Sequence, residues 1–168
     1  MGLVNKLSLL MAKMGCAGLR NASEEDKDNL RYVKAVVKAQ GPRSFQFASD
    51  FIRSDAESLL EMVTVNSEIL HFAKNKIYDR YVKDMVIEEK EVDKLIFAFK
   101  CLEKDTNSLL YFDKCLQKTV VQTLKTKECV EGEFAGKHCK IDLINLKQDE
   151  NLNEVIEAIK IIDREEVL

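Results

Sequence analysis

Three side chains that could bind a metal ion or act as nucleophiles share one short segment. They are Cys129, His138 and Cys139. Zinc ligands usually come in tight pairs such as C-x₂₋₄-C, and this segment has no such pair. A catalytic thiol needs a base held beside it, whereas neighbouring residues on an extended strand point to opposite faces. We therefore predict neither a metal site nor a catalytic cysteine here.

The other cysteines and the second histidine form no further candidate site. Cys101, Cys115 and Cys129 recur every fourteen residues, which would nearly align them on one helix, but polar residues 105–107 interrupt that helix. His71 stands next to Phe72 on a helix and is expected at a partly exposed rim. The phosphate-binding loops G-x-x-x-x-G-K-[ST] and G-x-G-x-x-G are both missing from the sequence. We expect no catalytic residues, no cofactor and no enzymatic activity.

The amino-acid composition indicates what class of protein contains these residues. The chain has 168 residues, 46% hydrophobic and 33% charged, which is typical of one folded domain. One proline and six glycines are few for a turn-rich β protein and favour helix. The net charge is −3 and no window concentrates Lys and Arg, so nucleic acid is not an expected partner. The odd count of five cysteines indicates reduced thiols in a cytosol, either the cell's own or that of a host.

The N-terminal segment carries a stripe of apolar residues with helical spacing. Its members are Leu3, Val4, Leu7, Leu10, Met11 and Met14. We expect this helix to pack its stripe on the body of the domain, with a membrane-surface helix as the alternative. No run approaches the roughly 18 apolar residues of a membrane span, so we expect a soluble chain without membrane insertion.

Two helical hairpins are predicted at residues 28–54 and 55–79, because apolar stripes and breaks recur there with a period of about 25 residues. Asp28 corresponds to Asp55, and Phe47-Ala48 corresponds to Phe72-Ala73. A fainter third copy lies at residues 107–112, with Phe112 placed like Phe72. Phe47, Phe72 and Phe112 are therefore expected to be buried. Residues 54–57, read as a capping box with Ser54 first, open the second hairpin.

This pattern, with its polar break at Asn66 and the sequence Leu70-x-Phe72-Ala73, resembles a widespread short tandem repeat over residues 28–79. That family is catalogued as a domain of unknown function and occurs in arrays in bacteria and some protists. Gly41-Pro42 and Met62 depart from its pattern. The resemblance implies an α-helical array and carries no established activity.

The second half of the chain continues in helices and then changes character. One stripe predicts a helix from residue 79 to about residue 103, although polar residues 88–91 are also compatible with a turn between two helices. Residues 129–146 contain Gly132 and Gly136 and predict a short β-hairpin or an ordered loop. A docked C-terminal helix is predicted at residues 149–164. Its buried stripe would be Leu152, Val155, Ile156, Ile159 and Ile162.

These observations predict a mainly all-α fold, a compact array of roughly seven to nine helices in a single domain of residues 1–168. The function that suits it best is non-enzymatic protein–protein interaction with an unidentified partner. The alternative is a helical bundle that binds a small apolar ligand or contains an unrecognised enzymatic cleft. An exposed apolar patch would favour the first hypothesis, and a closed apolar pocket beside His71, or beside His138 and Cys139, would favour the second.

Overall fold

Helices make up most of the chain, with a single two-stranded sheet among the residues that the structure describes. The computed structural model describes the backbone of residues 3–73 and 87–165 and the side chains of 6–73 and 94–159. Over those ranges it contains nine α-helices and four 3₁₀ helices, which confirms the mainly all-α prediction. The chain forms two compact units, residues 1–79 and 80–168, so the expectation of a single domain stays a prediction.

The first unit is built from short helices. Its α-helices are α1 (Leu3–Lys13), α2 (Glu24–Lys27), α3 (Leu30–Gln40), α4 (Asp50–Ser54) and α5 (Ala56–Val63), and its 3₁₀ helices are Leu19–Asn21, Pro42–Phe47 and Ser67–Phe72. Polar side chains fix where helices begin. The Asp55 carboxylate accepts a hydrogen bond from the Ser58 amide at 2.8 Å and so begins α5. The predicted capping box at Ser54 is therefore wrong by one residue, since the Ser54 hydroxyl donates to the Asp50 carbonyl.

The core of the first unit is centred on α3. Its fully buried residues come from nearly every element and include Val33, Val36, Phe45, Ile52, Leu59, Met62 and Ile69. α1 and the 3₁₀ helix Pro42–Phe47 both pack on α3, and that 3₁₀ helix also contacts Ser67–Phe72. α5 in turn packs on Ser67–Phe72.

Two six-residue 3₁₀ helices of the first unit, Pro42–Phe47 and Ser67–Phe72, end in the same way. Phe47 and Phe72 are each the last residue of such a helix, and Ala48 and Ala73 follow in extended conformation, so the two Phe-Ala pairs have equivalent local structure. Phe112 is buried as expected and Phe72 is half-buried, but Phe47 is 36% exposed because Phe45 fills the core position instead. Membership of the repeat family stays a prediction.

The second unit combines longer helices with the sheet. Its elements are α6 (Ile87–Lys104), the 3₁₀ helix Thr106–Tyr111, α7 (Lys114–Thr126), β1 (Cys129–Phe134), β2 (Lys137–Asp142), α8 (Ile144–Lys147) and α9 (Glu150–Glu165). Because α6 is continuous through residues 88–91, the alternative of a turn there is wrong. Residues 74–86, which include the end of the predicted hairpin 55–79 and the start of the predicted helix from residue 79, lie outside the described residues.

The predicted hairpin near residues 129–146 is confirmed as an antiparallel pair. Val130 lies opposite Ile141, and both are buried where β1 and β2 contact α6. The rings of Phe97 and Phe134 stack with their centroids 6.3 Å apart. The C-terminal helix α9 contacts the 3₁₀ helix Thr106–Tyr111 and buries Leu152 and Val155 of its predicted stripe, whereas Ile156 and Ile159 are half-buried and Ile162 lies outside the described side chains.

Candidate functional site

The hairpin separates the three side chains that the sequence brings together. Gly132 pairs with Cys139 and Glu133 pairs with His138. Because side chains alternate along a strand, Cys139 shares the face of the buried Ile141, whereas Cys129 and His138 belong to the opposite face. Within the described side chains no group of three or more His, Cys, Asp or Glu residues is placed to hold a metal ion.

The other cysteines and the second histidine that the sequence analysis considered differ in exposure. Cys101 is fully buried on α6, and this burial raises the pKa of its thiol, so the thiol stays protonated and unreactive. Cys115 is exposed. His71 is also exposed, with its ring 5.6 Å from the Phe72 ring in an edge-on arrangement. Cys101 and Cys115 lie on different helices, α6 and α7, and none of these three residues belongs to a potential metal-binding group within the described part of the chain.

Four of the six residues in the predicted N-terminal stripe are exposed to solvent, so the prediction of a packed stripe is wrong for them, and Leu3 and Val4 lie outside the described side chains. Leu7 is 60% exposed, Leu10 53%, Met11 41% and Met14 67%. α1 packs on α3, and its buried residue is Ala12, on the other side of the helix. A small side chain there lets the two helix backbones approach closely. We call Leu7, Leu10, Met11 and Met14 the α1 stripe.

Beside α1 lies an open groove with a volume of about 940 Å³. Residues from α1, α3, α5 and the turn after α5 line it. They are Leu9, Lys13, Arg31, Lys34, Ala35, Lys38, Ala39, Glu61, Thr64 and Val65. None of His71, His138 and Cys139 is among them. We call this cavity the basic groove.

The charges in the basic groove are strongly unbalanced. It holds four cations and one carboxylate, a local net charge of +3 in a chain whose net charge is −3. The carboxylate belongs to Glu61, which lies 2.6 Å from the Lys34 ammonium. Over the described part of the chain, no ion pair is formed by Lys13, Arg31 or Lys38. The groove therefore has a positive field that its own residues do not neutralise.

Sequence reasoning missed the basic groove because its cations come from two segments far apart in the chain. One signal was present. Arg31, Lys34 and Lys38 have the spacing i, i+3 and i+7, which places them on one face of a helix, and α3 contains no acidic residue. Lys13 joins them only through the packing of α1 on α3.

Among the described side chains, other large apolar residues are also exposed, two in each unit. The first unit exposes Phe47 and Phe51 in addition to the α1 stripe, whereas the second unit exposes Leu110 and Ile144. Among the described residues, no helix is long and apolar enough to span a bilayer. No protein-family model, curated protein or solved structure matches this chain.

Proposed function

We propose that the chain is a protein-binding module and that the α1 stripe is its anchor. The observation that carries this proposal is the exposure of four apolar side chains spaced i, i+3, i+4 and i+7, three of them on α1 and the fourth, Met14, directly after its last residue. This spacing is the one by which an amphipathic helix enters the apolar groove of another protein.

The exposure of the α1 stripe leaves a sizeable free energy to be gained on binding. Complete burial of a large apolar side chain is worth about 1.5–3 kcal/mol. Scaled by the exposed fractions, covering the stripe would yield roughly 3–7 kcal/mol before the cost of association. Two of the four side chains are methionines, which adapt to irregular partner surfaces.

The occupant that fits best is a partner protein with an apolar groove and an acidic rim. Lys6 and Lys13 lie along one border of the α1 stripe, so a partner with carboxylates on that side would be complementary in charge. A second copy of the chain is a poorer fit. Two short helices meeting along four side chains each fall well below the roughly 800 Å² per partner of a standard interface.

Site-specific photo-crosslinking tests this proposal. A photoreactive amino acid replaces Leu10 in one version of the chain and Leu110, 40% exposed in the second unit, in the control version. We expect a crosslinked protein from Leu10 that is missing from Leu110. The crosslinked protein is then purified and titrated against the wild type, Leu10→Gln/Met14→Gln and Leu110→Gln.

The proposal predicts that Leu10→Gln/Met14→Gln weakens binding at least tenfold, whereas Leu110→Gln changes it less than twofold. A synthetic peptide of residues 1–16 should compete with the wild type. Equal affinities for the two variants, or no crosslink from Leu10 above the Leu110 control, would overturn it. A crosslink only to a second copy would replace the partner protein with self-association.

A further inference from the structure

The basic groove gives the first unit a second binding surface, next to the α1 stripe but of different chemistry. The stripe is apolar, whereas the groove combines an apolar lining from Leu9, Ala35, Ala39 and Val65 with an excess of cations. A ligand that matches both properties must offer apolar groups and negative charges together.

The openness of the groove favours a protein segment over a small molecule. Small-molecule sites enclose most of their ligand. Here Lys13, Arg31, Lys38, Ala39, Glu61 and Thr64 are all exposed, so a bound ligand keeps one side in solvent. A segment of a larger protein tolerates this, because its outer side can be polar.

The spacing of the cations indicates the conformation of that segment. Arg31 and Lys38 are seven residues apart on α3, about 10 Å along the helix axis. A second helix laid alongside presents carboxylates at the same interval when they are spaced i, i+3 or i+4, and i+7. The small side chains of Ala35 and Ala39 leave room for apolar residues of that helix.

We propose that the basic groove binds an acidic amphipathic helix of a partner protein. Carboxylates on one border of that helix pair with Arg31, Lys38 and Lys13, and its apolar residues cover Ala35 and Ala39. This inference rests on the proposed role in protein binding and adds the chemistry of the partner. Lys34 contributes less, because Glu61 already neutralises it.

Panning a displayed library of random 16-residue peptides on the purified chain tests the inference without a known partner. We expect the selected peptides to be enriched in Asp and Glu, with apolar residues at helical spacing. Synthetic versions are then titrated against the wild type and Arg31→Glu/Lys38→Glu. The matched control is Lys118→Glu/Lys125→Glu, which reverses two exposed charges with the same spacing on α7.

The groove variant should weaken peptide binding at least tenfold, and the α7 variant less than twofold. Selected peptides without excess acid, or equal losses in both variants, would overturn the inference. So would tighter binding of duplex DNA than of the peptides, because it would make the groove a general polyanion site. Peptide binding that persists in Leu10→Gln/Met14→Gln keeps the groove inference standing even if the α1 stripe fails its own test.

Discussion

The first and last α-helices of the described chain both carry apolar residues at helical spacing, but one leaves them exposed and the other buries part of them. α9 buries Leu152 and Val155 in its own unit, whereas α1 leaves Leu7, Leu10, Met11 and Met14 exposed. Periodicity therefore shows that a helix has an apolar face but does not show what covers that face.

The difference lies in the opposite face of each helix. Opposite its stripe, α9 carries polar residues such as Asn153, Glu154 and Glu157, so only the apolar stripe can be packed. α1 has a second packable face with Ser8, Leu9 and Ala12, and this smaller face packs on α3. A helix with two packable faces can dock with one and keep the other for a partner.

The largest effect is expected from Leu152→Ala in α9. The side chain is 1% exposed, so its truncation removes buried apolar contacts and leaves a cavity. We expect the second unit to lose about 2–5 kcal/mol of unfolding free energy. Urea denaturation followed by circular dichroism measures the loss. A loss below about 1 kcal/mol would mean that α9 is not docked.

The next largest effect is expected from Ala12→Leu in α1. Ala12 is fully buried, and three added carbon atoms there must push α1 away from α3. The expected destabilisation is about 1–3 kcal/mol. Ala39→Leu is the control, because Ala39 is exposed and the same change should cost little. Equal stability of the two variants would contradict the packing of α1 on α3 through the face that contains Ala12.

Removal of the N-cap of α9 is expected to have an intermediate effect. The Asp149 carboxylate accepts a hydrogen bond from the Leu152 amide at 2.9 Å. Asp149→Ala should therefore cost about 1 kcal/mol, whereas Asp149→Asn, which keeps an acceptor oxygen, should cost much less. Hydrogen exchange of the first turn of α9 locates the effect. Identical protection in the two variants would exclude a capping role.

The double substitution Leu10→Gln/Met14→Gln is expected to leave stability almost unchanged. Both side chains are more than half exposed, and glutamine is a good helix former. The change in unfolding free energy should stay within about 0.5 kcal/mol, measured by the same urea denaturation. A loss above about 1.5 kcal/mol would show that the α1 stripe is covered within the chain. This result would also explain any loss of partner binding as misfolding.

The smallest effect on stability is expected from Glu131→Gln in the hairpin. The outer face of the hairpin is charged, whereas the α1 stripe is apolar. Glu131 pairs with Lys140 across the strands at 2.7 Å, and the hydrogen bond and charge of Lys140 lower the pKa of Glu131. A carboxylate whose pKa is lower in the folded than in the unfolded state stabilises the fold. This stabilisation is fully present above the pKa of the unfolded state and is lost as the pH falls through the pKa of the folded state. Glu131→Gln should remove this acid-side dependence. An NMR titration placing the Glu131 pKa at or above its ordinary value would contradict the pairing.

Features that depend on neighbours in the sequence could be predicted. Ser23 precedes three acidic residues, a pattern that indicates the start of a helix, and its hydroxyl caps α2 by accepting from the Asp26 amide at 3.1 Å. The β-hairpin followed from glycines and alternation. The cap of α5 was misplaced by one residue because both Ser54 and Asp55 are good capping residues, and only backbone geometry distinguishes them.

Features that depend on tertiary packing could not be predicted. The orientation of α1 follows from a competition between two faces for α3, and sequence spacing favoured the more apolar face. The basic groove combines Lys13 with Arg31, Lys34 and Lys38, and no short window contains all four. Burial also reversed the expectation for Phe47, because Phe45 two residues earlier occupies the core.

The turn of the hairpin has a consequence for how the second unit assembles. Ala135 and Gly136 both adopt positive φ, 51° and 73°, the conformation required by the tightest two-residue turns. A slip of one residue in pairing would turn Val130 and Ile141 outward, so this turn sets a single alignment. β-Hairpins form in about 1–10 μs, and folding slows as native pairings join residues farther apart in the chain. The hairpin can thus form early in folding, and the Phe97 ring of α6 can then pack against Phe134 of the formed hairpin.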